Sequence, residues 1–341
     1  MRVAMYYSNT DIRVEEMPRP AIGADELLVK VLASGICGSD VMEWYRIKKA
    51  PRVLGHEIAG DIVEVGGEVS EYRIGQRVFV SHHVPCMDCR FCHRGDHTVC
   101  ETLMSTNFDP GGFSEYVRVP SVNVKHGVFP LPDETSYEDA VFIEPLGCVI
   151  RGQNRIEGIE DGNVLIIGSG LAGLLHLQLA KIRGAERVAC TDISDFRLSA
   201  AREFGADAAF DANEDVPSQS RELFGGLLAD VVIVCTGAAK ALEQAWTCVE
   251  RGGTILFFAP TDPSTIVPMP FNEFWFKSLT MTTSYAASPD DIREAIDLLA
   301  TRQVRVREMI THRFGLEDAA KGFELVLKAE DSLKVLLDPQ R

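Results

Sequence analysis

The stretch "NVLIIGSGLAGLLHLQLAKIRG", residues 163–184, decides how this chain is read. "NVLII" is a short unbroken apolar run, of the kind that forms a strand buried on both faces. "GSGLAG" at 168–173 follows at once, and "LAGLLHLQLAKIRG" continues as a helix that stops at a glycine. G-x-G-x-x-G alone is a weak signal; between a strand and a helix each glycine has a task. Gly168 permits the tight turn, Gly170 lets a pyrophosphate approach the backbone, and Gly173 lets the helix pack close to the strand. The helix start, with Leu171 and Ala172, offers free N–H groups and partial positive charge to phosphates. Asp192 ends the next strand, "RVACTD", 19 residues after Gly173. There a carboxylate accepts from the ribose hydroxyls of NAD and repels the 2′-phosphate of NADP. Arg197 can stack on adenine or lie on its helix, and Thr236, after "VVIVC", completes the expected cofactor-binding set. The motif predicts an NAD site.

Outward from this unit the alternation continues. "DFRLSAAREFGA" reads as a helix, "ADVVIVCTG" as a strand, "KALEQAWTCVERGG" as a helix and "TILFFAP" as a strand. Residues 151–285 therefore form an α/β domain with a doubly wound parallel sheet, a Rossmann domain. Residues 1–150 differ: "ELLVKVLASG", "HEIAGDIVEVGG", "GQRVFVS" and "SEYVRVP" are short β segments between glycine- and proline-rich turns. From 286 to 341 come two helices, "SPDDIREAIDLLATR" and "LEDAAKGFELVL", and a closing strand, "LKVLLDP".

The chain has 341 residues and a formal net charge of −16. Such acidity, without a basic stripe and interleaved aromatics, argues against nucleic acid or an anionic membrane as partner. "RIKK" at 46–49 is the densest basic cluster and reads as solvated surface. The start lacks the basic and apolar segments of a leader, and no apolar run is long and uniform enough to span a bilayer. A cytoplasmic protein is expected. Of nine cysteines, Cys86, Cys89, Cys92 and Cys100 are spaced C-x2-C-x2-C-x7-C. In a reducing compartment that spacing predicts a closed four-thiolate zinc site, which is structural because no coordination position stays open. Cys37 in "GICGSD" and His56 in "VLGHEIAG" are a second pair of metal-type donors; with one carboxylate they leave a zinc an open, catalytic position.

With these in place the chain resembles the zinc-containing medium-chain dehydrogenases over essentially its whole length. "GICGSD", "GHE", the four-cysteine lobe, "GGFSEY" at 111–116, "IEPLG" at 143–147 and "GSGLAG" occur in that family's order. "CGSD", "KKAPRVLGHE" and "FIEPL" are similar to the sorbitol or polyol dehydrogenase branch. The resemblance implies a GroES-like catalytic domain built from 1–150 and 286–341, with the zinc lobe at 84–101 and the Rossmann domain at 151–285 inserted. It implies Cys37 and His56 as zinc ligands, with Glu57 or Glu144 as the third. It gives Asp40 the orientation of the His56 imidazole, and Ser39 the substrate's hydroxyl proton. Two zincs per subunit, one catalytic and one structural, NAD, a water-excluding cleft and a homo-oligomer, usually a tetramer, follow from it as well.

Two positions depart from the family. Met42 stands where many relatives carry a proton-relaying histidine. Ser284 and Tyr285 stand where sorbitol-type enzymes often carry Arg-Tyr. Tyr45, Asn107 and Phe108 are candidate substrate-pocket walls. The expected activity is oxidation of a polyol or related secondary alcohol to the ketone. Alternatives are L-threonine 3-dehydrogenase, which His83 in "SHHVPC" resembles, a polyol-phosphate dehydrogenase with "RIKK" as anion contact, and a non-catalytic NAD-binding relative.

Overall fold

A computed structural model describes residues 1–341. The backbone divides into two units: Met1–Gly147 with Ala286–Arg341, and Cys148–Tyr285.

The second unit is a six-stranded parallel sheet. In spatial order its strands are Ala208–Asp211, Arg187–Asp192, Asn163–Ile167, Ala229–Val234, Val249–Phe257 and Thr280–Thr283. Numbered along the unit this is 3-2-1-4-5-6, the doubly wound order in which the chain reverses beside the first strand. All five residues of Asn163–Ile167 are buried, which is why that strand carries no alternation. Burial of Leu165 or Ile166 stabilises by about 1.5–3 kcal/mol each. Helix Leu171–Ile182 follows and ends where Gly184 turns at φ +83°. Two strands escape the sequence reading. Ala208–Asp211 is half-buried and short, and Thr280–Thr283 is a polar edge strand. Helix Ala239–Cys248 also stops earlier than its periodicity suggests, because Val249–Phe257 is drawn into the sheet.

The first unit holds a larger sheet in the order Ile310–Gly315, Lys334–Asp338, Leu27–Ile36, Glu57–Val65, Arg77–Ser81 and Val128–Pro130. Tyr116–Val119 also pairs with Leu27–Ile36. The strand from the end of the chain is thus inserted next to a central strand, with Leu336 opposite Gly35. A smaller sheet joins Asp11–Glu16, Arg2–Ser8 and Arg52–Val53. Helix Pro289–Ala300 begins with a capping box: Asp291 N–H donates to Ser288 Oγ and Ser288 N–H to Asp291 Oδ2. No helix is long and apolar enough to cross a membrane.

His176 is wholly buried in helix Leu171–Ile182, edge-on to Phe258, with Gln153 Nε2 donating to its carbonyl oxygen. Burial, with Arg183 adding repulsion, pushes its pKa down to about 3. The folded state therefore refuses a proton that the unfolded chain accepts below about 6.5, so stability falls as pH drops from there toward 3. His176→Gln should flatten the acid limb of a stability–pH profile by up to about 1.4 kcal/mol per unit in that window, measured by chemical denaturation.

Candidate active site and zinc lobe

Strand Leu27–Ile36 delivers Cys37, and the turn before strand Glu57–Val65 delivers His56, because these strands are antiparallel neighbours with Gly35 opposite Glu57. The donor atoms of Cys37, His56 and Glu57 lie within 4.8 Å of one another. After Cys37 the chain makes a one-turn 3-10 helix, Gly38–Val41, in which Asp40 turns back to accept the Cys37 N–H at 3.0 Å. This places the Asp40 carboxylate 3.4 Å from His56 Nδ1, so the imidazole presents its other nitrogen toward Cys37. Asp40 is fully buried, and desolvation alone would raise its pKa; His56, Arg46 and the Cys37 N–H overcome this and hold it below the usual carboxylate range.

Glu57 shares a fully buried ion pair with Lys334 of the closing strand. Lys334 Nζ also sits 5.8 Å over the Phe142 ring. The pair occupies the space a side chain at position 35 would need: a Cβ on Gly35 would strike the Glu57 carboxylate and approach Lys334 Cε to 2.8 Å. Lys334 binds one carboxylate oxygen, Oε2, while Oε1 is buried without a hydrogen-bond partner. A thiol, an imidazole and a carboxylate with donor atoms this close, one carboxylate oxygen being left without a partner, fit a zinc ion with an open position. Glu144, in the first turn of helix Ile143–Gln153, stands outside this grouping.

Arg46 is the side chain that sequence reasoning misplaced. Lys48 and Lys49 are exposed, as a solvated cluster should be. The Arg46 side chain is only 15% exposed: it turns inward, donating from Nε to the Ser39 carbonyl and from Nη2 to Ser39 Oγ, both at 2.9 Å, with Asp40 Oδ1 at 3.3 Å. His82 packs at a tilt against both His56 and His83, with ring centroids 4.9 and 3.9 Å apart. Burial and repulsion from His56 push His83 down to about 4, and His82 is lowered well below 6.5 by burial, His83 and His56, so both are neutral at pH 7. Phe108 is a core residue and meets His82 edge-on, whereas Tyr45 is exposed beneath the Arg46 guanidinium. Asn107 caps the Phe108 N–H through its own Oδ1.

In the lobe, Cys86 Sγ lies 4.0 Å from Cys92 and 3.6 Å from Cys100, and Cys89 lies 3.6 Å from Cys92. Four sulfurs about 2.3 Å from a central zinc are about 3.8 Å apart, so the geometry fits that ion. Burial and the neighbouring sulfurs push Cys92 up to about 12. Cys100 falls to about 6 despite burial, because the N–H groups of Cys86 and Leu103 point at it. None of the nine cysteines is joined in a disulfide.

In the second unit Gly168 adopts φ +94°, and a side chain on Gly173 would collide with the Gly168 carbonyl. Leu171 and Ala172 open the helix behind Gly170. Asp192 is fixed by three backbone donors: Ser169 N–H on Oδ2, and Ile193 and Ser194 N–H on Oδ1. Arg197 reaches across the turn, with Nη1 3.8 Å from Asp192 and its guanidinium about where a side chain on Gly170 would touch it. Thr236 lines the other flank of Gly168. Ser284 and Tyr285 end this unit; Ser284 Oγ is buried and Tyr285 is half exposed.

Residues 23–133 match the alcohol dehydrogenase GroES-like domain, and residues 172–301 match the zinc-binding dehydrogenase domain. Sorbitol dehydrogenase of Ovis aries is 33% identical over 338 residues, covering 96% of this chain and 93% of that protein. L-threonine 3-dehydrogenase of Mesorhizobium japonicum is 31% identical over 337 residues, covering 96% and 95%. Among solved structures, galactitol-1-phosphate dehydrogenase from Escherichia coli superposes with a TM-score of 0.88 at 29% identity, covering 99% and 100%.

Lys334→Met should cost about 3–5 kcal/mol in denaturation experiments, because it strands a buried carboxylate. Adding Glu57→Gln should recover most of that loss. Cys100→Ser should lower the zinc content by one ion per chain, read by elemental analysis, and expose the lobe to proteolysis.

Proposed function

The chain belongs to the zinc-binding dehydrogenases, and from that premise we propose that it oxidises a secondary hydroxyl of a polyol or related alcohol to the ketone with NAD. It is an oxidoreductase that uses zinc and a nicotinamide dinucleotide. The observation that carries the reading is the grouping of Cys37, His56 and Glu57, with its orphaned carboxylate oxygen, beside Ser39. Zinc, when bound, supplies Lewis-acid polarisation of the alcohol oxygen, and NAD supplies the hydride acceptor. Cys37 and His56 hold the metal, Asp40 fixes the imidazole, and Glu57 or Glu144 completes the set. Ser39 takes the hydroxyl proton. Arg46 donates to Ser39 Oγ and cannot itself lose a proton, so it does not pass the serine's proton onward, and the Met42 thioether does not either.

Asp192, held at the end of its strand by three N–H groups, supports NAD over NADP. Cys86, Cys89, Cys92 and Cys100 hold the structural zinc. We also read the protein as a homo-oligomer, a tetramer by resemblance. The polar edge strand Thr280–Thr283 and the adjacent exposed Phe271, Trp275 and Phe276 support self-association. Cysteines without disulfides favour a cytoplasmic location. A second reading, L-threonine 3-dehydrogenase, is favoured by His83, neutral and packed in the histidine row beside the site.

NADH formation at alkaline pH across polyols, polyol phosphates, L-threonine and simple secondary alcohols tests the proposal. Cys37→Ser should abolish turnover, by at least about a thousandfold, while NADH still binds with near-native affinity in a fluorescence titration. Turnover that survives Cys37→Ser would refute the assigned role.

A further inference from the structure

A second arginine approaches the Gly38–Val41 turn: Arg52 lies opposite Tyr6 in the small sheet, Tyr6 OH donates to Asn9 Oδ1, and Asn9 Nδ2 donates to the Val41 carbonyl of that turn. Arg52 enters from the short strand Arg52–Val53, whose backbone is held by Tyr6. Its side chain is half-buried, its Nε is shielded from solvent, and it has neither a hydrogen-bond acceptor nor an ion-pair partner. Burial and repulsion from Arg46 lower its pKa, while Tyr45 and Asp40 raise it, so these four side chains share one electrostatic neighbourhood. The charges do not balance. Arg46 and Arg52 each carry a permanent positive charge, and the carboxylate within reach, Asp40, already serves His56 and the Cys37 N–H. Two like charges in a partly desolvated place are costly without an anion between them. The surplus is the more telling in a chain of net charge −16, which has ample carboxylates elsewhere.

We propose that Arg52, flanked by Arg46, forms the recognition site for an anionic group on the substrate, so that the alcohol oxidised here also carries a carboxylate or a phosphate. The inference rests on the dehydrogenase reading and narrows its substrate class. A guanidinium fork matches the paired oxygens of either group. Arg46 is tied down by Ser39 and contributes charge, while Arg52 has its donors free. Arg46, which donates to Ser39 Oγ, links the anion's place to the serine.

The test compares kcat/KM with NAD for pairs that share a carbon skeleton: sorbitol against gluconate and against sorbitol 6-phosphate, and 2,3-butanediol against L-threonine. At least one charged member should exceed its neutral counterpart tenfold or more. Whether carboxylates or phosphates lead identifies the anion. Arg52→Gln should collapse that preference at least tenfold, through KM, and Arg52→Lys should restore part of it. A second measurement needs no turnover: inorganic phosphate should raise the Tm of the zinc-loaded, NADH-bound protein, and Arg52→Gln should abolish the rise. NADH affinity should change less than twofold in the variant. A loss of NADH affinity that matches the lost preference would assign Arg52 to the cofactor's pyrophosphate and overturn the proposal. Equal turnover of charged and neutral partners would overturn it while leaving the dehydrogenase reading intact. Turnover of neither class, with NADH still bound, would remove both.

Discussion

The buried ion pair between Glu57 and Lys334 is the constraint on which the first unit depends. Neither group can be left in that interior alone, since an unpaired buried charge costs several kcal/mol. Lys334 reaches Glu57 only if the closing strand lies directly beside Leu27–Ile36, and that placement needs Gly35 to have no side chain. Three segments distant in sequence are therefore fixed together by one electrostatic requirement. The same requirement ties one Glu57 oxygen to the lysine and leaves the other buried without a partner.

Much of this was legible in the residues. The glycine turn at 168–173 imposes a strand, a tight turn and a helix, and the structure has each in place. The four cysteines converge as their spacing requires, and Cys37 meets His56 because their strands are neighbours. The illegible parts have a common cause: they depend on contacts between residues far apart in sequence. No local pattern in "SLKVLLDP" distinguishes Lys334 from a surface lysine, since its partner is 277 residues away. Arg46 sits in a basic run that reads as surface, yet the turn after Cys37 folds it inward. Thr280–Thr283 lacks any apolar signature because it is an edge, and Ala208–Asp211 because it is half covered.

The departure at Met42 and the inward turn of Arg46 belong together. Where the resemblance leads one to expect a titratable ring three residues after Ser39, this chain has a thioether, and a permanent cation donates to the serine. Ser39 is held by Arg46, while His82 and His83 are both kept neutral by burial and by repulsion from His56.

The discontinuity of the first unit has a consequence for how the chain is made. Ribosomes add about 5–20 residues per second, so Glu57 emerges roughly 14–55 s before the lysine 277 residues behind it. Within that interval the Rossmann unit, a single continuous segment, is completed and free to fold. Until the closing strand arrives Glu57 lacks its lysine and Leu27–Ile36 lacks the strand that pairs with its end, so the last-made strand seals a half begun first.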